Sequence, residues 1–162
     1  MINANKYESI FMEKERITAE ELLKRYAAGE RDFQNIILEY ADLSGVELQK
    51  IDITGAQFNY VNLSGLNLHR CELRSAQFWY CNFREAKITS SHLEYARFFD
   101  CDLRGFNSSK CNVSSVNFTR VNFQGAKFGG FGEEPCNYWD IIRQDGVFIP
   151  GFTFNPSRFS HK

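Results

Sequence analysis

Residues 41–65 read ADLSG VELQK IDITG AQFNY VNLSG, and this five-residue phrase runs unbroken from Arg31 to Gly130. In the 20 units of that stretch the third residue is Phe, Leu, Ile or Val in all but one, Ser108 being the exception. Those four types make up 44 of 162 residues, so chance placement would fill only about five or six of the third positions. The first position is apolar but smaller, mostly Ala, Cys and Val, and the second is polar, mainly Asn, Asp, Glu or Gln. Such self-similarity outranks every local propensity as evidence of fold.

A period of five fits neither the helical repeat of 3.6 nor the plain strand repeat of two. It fits a chain that runs straight for about three residues and then turns. Alternation in the straight part points positions one and three inward, and leaves positions four and five to make the corner. Gly at position five (45, 55, 65, 105, 125, 130) supplies the positive φ required by a type II turn. Four corners close a square, so twenty residues make one coil. The 20 units make about five coils, roughly 24 Å tall at a strand spacing of about 4.8 Å.

Units such as ADLSG, VNLSG and VNFQG resemble the pentapeptide-repeat family. The resemblance covers residues 31–130 and implies an all-β solenoid, a right-handed quadrilateral β-helix. It implies much less about activity: the family includes gyrase-protecting DNA mimics, but most members, many of them cyanobacterial, have no known one. The expected organisation is an N-terminal segment (1–30) with an α-helical cap, the solenoid (31–130), and a non-repeat C-terminal closure (131–162).

Composition excludes several classes of function. Charge is balanced, 19 Lys+Arg against 20 Asp+Glu, so no nucleic-acid-binding strip is announced. The solenoid alone holds 11 basic and 10 acidic residues, not the dense acidic surface of a DNA mimic. The five Cys form no Cys-x-x-Cys pair, and His69 and His92 fall on outward positions of different faces, which speaks against a metal site. The opening MINANKYESIFMEKERI contains no run apolar enough for a signal peptide or membrane span, so a cytoplasmic location is expected. A filled square rod offers no cleft for convergent titratable groups, and no catalytic, cofactor-binding or small-molecule motif is present.

Sorting residues into columns twenty apart separates core from surface. Leu38, Phe58, Phe78, Phe98 and Phe118 form an internal stack. Cys71, Cys81, Cys101 and Cys111 sit at the small first position and act as small hydrophobes. A vertical Cys81–Cys101 disulfide is the lesser expectation, and Cys136 has no assigned role. In FNSSK, Phe106 is large for its place and Ser108 small, so the ring is expected to fill the space beside the serine, with some distortion of the coil. Asp42, Asn62, Asn82, Asp102 and Asn122 form a polar column suited to ladder hydrogen bonds.

On the outside, Tyr40, Tyr60 and Tyr80 occupy position five of one face and Trp79 and Phe99 position four. Together they make an aromatic patch of about 10 by 15 Å by strand spacing. Clusters of this kind mark interaction sites more often than scattered apolar residues do; the other readings are a ladder that simply stabilises its corner and a patch that a terminal segment covers.

At the ends, TAEELLKRYAAG (18–29) reads as a helix capped by Thr18 and stopped by Gly29, its apolar stripe laid over the first coil. Residues 138–150 read as a hairpin or short strands closing the last coil, with Asp145-Gly146 as turn signal, Gly-Gly-Phe-Gly (129–132) as linker, and Phe152, Phe154 and Phe159 in an extended end laid along the solenoid or onto a partner copy. The expected function is a non-enzymatic interaction or scaffold module, binding a protein partner of unspecified identity through the aromatic face. The alternatives are a topoisomerase-directed DNA mimic, which the charge balance disfavours, and a self-associating module that forms a homodimer.

Overall fold

The computed structural model describes residues 14–129 and 136–153. Each five-residue unit is one side of a square, and its hydrogen bonds go to the units twenty residues before and after it. One side carries the parallel strands β1 (Ile37–Glu39), β3 (Gln57–Asn59), β5 (Gln77–Trp79), β7 (Arg97–Phe99) and β9 (Asn117–Thr119). Another side carries β2 (Glu47–Gln49), β4 (Asn67–His69), β6 (Lys87–Thr89), β8 (Asn107–Ser109) and β10 (Lys127–Gly129). On the two sides between them the chain is extended only long enough for single bridges. One bridge column runs Asp32, Asp52, Glu72, His92, Asn112, and the other Asp42, Asn62, Asn82, Asp102, Asn122, Ile142.

The corners alternate in kind. Every position-five residue from 35 to 125 has positive φ, whether or not it is glycine. After each bridge side the corner is a hydrogen-bonded β-turn, as in Leu66 N donating to Leu63 O at 3.1 Å. All five described glycine corners (45, 55, 65, 105, 125) are of this type, with φ of 66–72°. The corners after the strand sides carry Tyr40, Lys50, Tyr60, Arg70, Tyr80 and others at φ of 50–57°. No such turn bond closes these corners among the described residues, while at both kinds of corner the position-five N–H bonds to the next coil, as in Tyr60 N to Trp79 O at 2.9 Å and Gly65 N to Arg84 O at 2.8 Å.

The Asn and Asp at position two of the bridge sides hold these turns. Asp42 Oδ1 accepts from Ser44 N at 2.8 Å, Asp52 Oδ1 from Thr54 N at 2.9 Å, and Asn122 Oδ1 from Gln124 N at 3.0 Å. Each is an Asx-turn that satisfies a corner N–H. Part of the column also forms the expected ladder, Asn62 Nδ2 to Asp42 Oδ1 at 3.2 Å and Asn82 Nδ2 to Asn62 Oδ1 at 3.1 Å.

The interior is a stack of side chains. Phe58, Phe78, Phe98 and Phe118 lie with ring centroids 4.9–5.2 Å apart, and Tyr138 extends the column at 5.5 Å. The five cysteines are free and buried. Cys81 and Cys101 each direct their thiols to two backbone carbonyls at 3.4 Å, Phe58 and Trp79 for the first, Phe78 and Phe99 for the second. Phe106 is fully enclosed between the Ala86 and Ala126 levels and packs against Phe83 and Phe128. Strand β8 keeps its register to β6 and β10 through Ser108, so the irregular unit is absorbed without a slip.

At the lower end, α1 (Ala19–Ala27) starts at Thr18, whose Oγ1 accepts from Glu21 N at 3.1 Å, and buries Leu22 in the open end of the first coil. The Tyr26 hydroxyl accepts from Gln49 N at 2.8 Å and donates to Gln49 O at 3.2 Å, standing in for a missing coil under β2. Residues 15–17 do the same under β1, with Ile37 N to Glu15 O at 2.7 Å and Ile17 N to Ile37 O at 3.1 Å. Both lower strand edges are thereby covered, which removes a template for edge-to-edge pairing.

At the upper end the frame of five, whose period stops after Gly130 in the sequence reading, resumes without a phase shift at Cys136-Asn-Tyr-Trp-Asp140. Strand β11 (Asn137–Ile142) pairs in parallel with β9, Tyr138 opposite Phe118. Cys136 therefore occupies a first position, its thiol 3.1 Å from Val113 O. Strand β12 (Phe148–Thr153) returns antiparallel to β11, closing the hairpin expected at Asp145-Gly146. Pro150, which has no N–H to offer, sits in this edge strand, as edge strands permit. Most of the Gly-Gly-Phe-Gly linker, with Phe154 and Phe159, lies outside the described residues. Among the described residues no helix is long and apolar enough to cross a membrane.

Candidate functional site

The aromatic patch stands on the corner that follows β1, β3 and β5. Tyr40, Tyr60 and Tyr80 form a true ladder, with ring centroids 5.1 and 4.8 Å apart and rings within 5° of parallel. Strand spacing of about 4.8 Å dictates this, because identical residues at identical φ repeat their rotamer at every coil. The rings remain exposed, at 78%, 49% and 46%.

Trp79 and Phe99 belong to the same patch but are half-buried. They pack against each other at 4.7 Å, and the edge of Phe99 meets Tyr80 at 6.0 Å. The sequence places Phe99 simply outward, yet the Arg120 guanidinium lies 4.0 Å over its ring. Arg120 is fixed there by a bidentate pair with Asp100, both contacts 2.7 Å. The Asp100 hydrogen bonds raise the Arg120 pKa, against a smaller opposing effect of burial, with the Asp100, Tyr80 and Asp140 charges adding to the rise. The cation–π contact is thus made by a permanently charged, pre-positioned group. The indole N–H of Trp79 is buried with no acceptor among the described residues, at a cost of about 1–3 kcal/mol.

The structure adds two residues to the patch. Trp139 lies in register with Thr119, and so continues the position-four column Trp79, Phe99, Thr119. It is 48% exposed and packs at 6.2 Å against Phe152, 55% exposed, from β12. A groove of about 460 Å³ between coil and hairpin is lined by Thr119, Arg120, Trp139 and Phe152. The signal for Trp139 was in the sequence, since CNYWD repeats the form of AQFWY in the same frame, but it lay beyond Gly130. Phe152 had no such signal, because its place depends on the return of β12. The result is one strip along the solenoid axis: three stacked tyrosines, a Trp–Phe pair roofed by arginine, and a second Trp–Phe pair on the closure.

No metal-binding group of three or more His, Cys, Asp or Glu occurs among the described residues. His69 Nδ1 is 2.9 Å from Thr89 Oγ1 and His92 Nδ1 3.2 Å from Glu94 Oε1, on different sides of the square.

Comparison with known proteins gives a consistent result. Two family models match, pentapeptide repeat region over residues 31–107 and pentapeptide repeats over 96–131. A solved pentapeptide repeat protein from the cyanobacterium Nostoc is 26% identical, covering 70% of this chain and 97% of its own, with a TM-score of 0.51. HetL, a Nostoc pentapeptide repeat protein involved in heterocyst differentiation regulation, is 17% identical over 82% of this chain and 100% of its own, TM-score 0.33. A plasmid-mediated fluoroquinolone resistance protein is 16% identical over 89% of this chain and 91% of its own, TM-score 0.30. A search of curated proteins gives no match.

Proposed function

The chain belongs to the pentapeptide-repeat family, whose fold is a right-handed β-helix serving as a structural or interaction module, and from that premise we propose that it acts without catalysis, binding a protein partner along the aromatic strip. The observation that carries this reading is the exposure of the Tyr40–Tyr60–Tyr80 ladder. Stacked rings present rigid apolar edges with hydroxyls in a row, and lose little conformational freedom on binding. Trp, Tyr and Arg are the residue types that concentrate binding energy at interfaces. The strip supplies all three.

The acidic residues nearby do not favour a DNA-mimic reading. Asp100 is committed to Arg120 and Asp102 to Arg104, so their charge is neutralised locally rather than arrayed as phosphates would be. Self-association has a separate support in the exposed Val147, Phe148 and Phe152 of the closure hairpin. The discriminating experiment compares capture from the host lysate by the native chain and by a Tyr40→Ser, Tyr60→Ser, Tyr80→Ser variant, each shown to be folded. Selective loss of one captured protein supports the aromatic strip. Retention of every captured protein, or loss only of the chain's own second copy, overturns it.

A further inference from the structure

A different corner, the one after the Asp42–Asn122 bridge side, carries a feature that the aromatic strip does not use. Its position-five residues are Gly45, Gly65, Glu85, Gly105 and Gly125. The floor is bare backbone, with a Cβ added at Gly65 or Gly125 reaching only the next glycine at 3.8 Å. The trough so formed is walled in its upper half by Arg84 and Arg104 on one flank and Lys87 and Lys127 on the other. Its volume there is about 490 Å³.

Glu85, the single non-glycine of the column, occupies that floor with its carboxylate. A Cβ on Gly105 would lie 2.0 Å from Glu85 Oε1 and 2.7 Å from Oε2, so both oxygens rest where a side chain would otherwise stand. No Lys or Arg approaches this carboxylate within ion-pair distance among the described residues, and neither Lys87 nor Lys127 has a carboxylate partner there. Arg104 is held by Asp102, which Arg84 also approaches at 4.0 Å. Four cations thus face two carboxylates, one of them Glu85 itself.

We propose that this trough binds an acidic peptide segment, whose carboxylates take the place now held by Glu85. Charge complementarity selects the ligand, and the glycine floor admits an extended backbone at close range. Asn107 and Gln124, which also line the trough, each offer an amide donor and acceptor to that backbone. The two carboxylates repel phosphates and peptide carboxylates alike, so the choice of a peptide over a nucleic acid rests on the glycine floor and on the Asn107 and Gln124 amides, which match a peptide backbone.

The test is fluorescence anisotropy of a labelled oligoglutamate peptide titrated with the full chain at low and at high salt. Salt-sensitive binding is expected, because the contacts are exposed charges. Exposed ion pairs are individually weak, so the Lys87→Gln, Lys127→Gln double variant should bind about tenfold more weakly. Glu85→Gln, which removes the internal competitor, should bind several-fold more tightly. Tyr60→Ser should leave the peptide affinity unchanged, which separates this trough from the aromatic strip. The proposal is overturned if the lysine variant binds equally well or if Glu85→Gln weakens binding. It also falls if a single-stranded oligonucleotide of equal charge displaces the peptide, which would assign the trough to nucleic acid.

Discussion

Tyr60 and Tyr80 stack 4.8 Å apart with their rings 4° from parallel, while both hold a backbone φ of +56°. For a bulky L-residue that left-handed conformation costs about 1–2 kcal/mol. An aromatic pair returns about 0.5–1.5 kcal/mol beyond area burial. A Tyr60→Ser change keeps the same φ and forfeits only the stacking on Tyr40 and Tyr80, about 1–3 kcal/mol for the two pairs. Replacing a rung should therefore leave the solenoid folded, and for that reason the strip can be tested by substitution.

The inner stack behaves differently. Phe78 is buried, lies 5.2 Å from Phe58 and 4.9 Å from Phe98, and receives the edge of Phe83 at 5.0 Å. Phe78→Ala leaves a cavity inside a rigid column and should cost about 3–5 kcal/mol in urea unfolding. A loss below about 1 kcal/mol would mean that neighbouring coils collapse into the space, contrary to a fixed strand spacing.

The alternation of corners gives a paired prediction. Gly65 sits at φ +66°, where a new Cβ meets only open backbone at 3.8 Å, so Gly65→Ala isolates backbone strain from clash. It should destabilise by about 1 kcal/mol. Ser75, at φ +56° on a corner of the same hydrogen-bonded kind, should respond in the opposite sense to Ser75→Gly. The melting temperatures of the two variants should fall on either side of the native value.

Buried thiols set a limit at alkaline pH. Burial pushes Cys136 up to about 11, against an opposing hydrogen bond from Tyr138 and another from the Val116 backbone, and burial also raises Cys71 and Cys111. A group whose pKa is raised on folding contributes stability that is whole below its unfolded value and is lost as pH climbs through the folded value. Thermal stability should accordingly be flat to about pH 8.5 and decline toward pH 11. At pH 8 the native chain should react slowly with a thiol reagent, and rapidly once unfolded by urea.

How far the sequence disclosed this molecule depends on the level considered. The period of five is written in side-chain size, and Phe58, Phe78 and Phe98 could be stacked from their spacing alone. The closure was harder to read. Residues 131–135 (FGEEP) put Glu133 where an apolar third residue is expected, which hid the return of the frame at Cys136 and with it Trp139. The described glycines 45, 55, 65, 105 and 125 fall on the corners after the bridge sides, which was visible in the numbering, but the turn hydrogen bond that marks those corners is a property of the backbone. The roofing of Phe99 by Arg120 was out of reach, since it depends on which rotamer Asp100 fixes.

The most direct measurement of the central claim is site-specific photocrosslinking in the native host. A benzophenone amino acid is placed at Tyr60, on the ladder, and separately at Tyr95, an exposed tyrosine (61%) on a different corner with no stacked tyrosine among the described residues. Binding along the strip gives a discrete covalent adduct with one other protein from position 60 and none of that mass from position 95. Equal adducts from both positions, or none from position 60 in a folded chain, would contradict it.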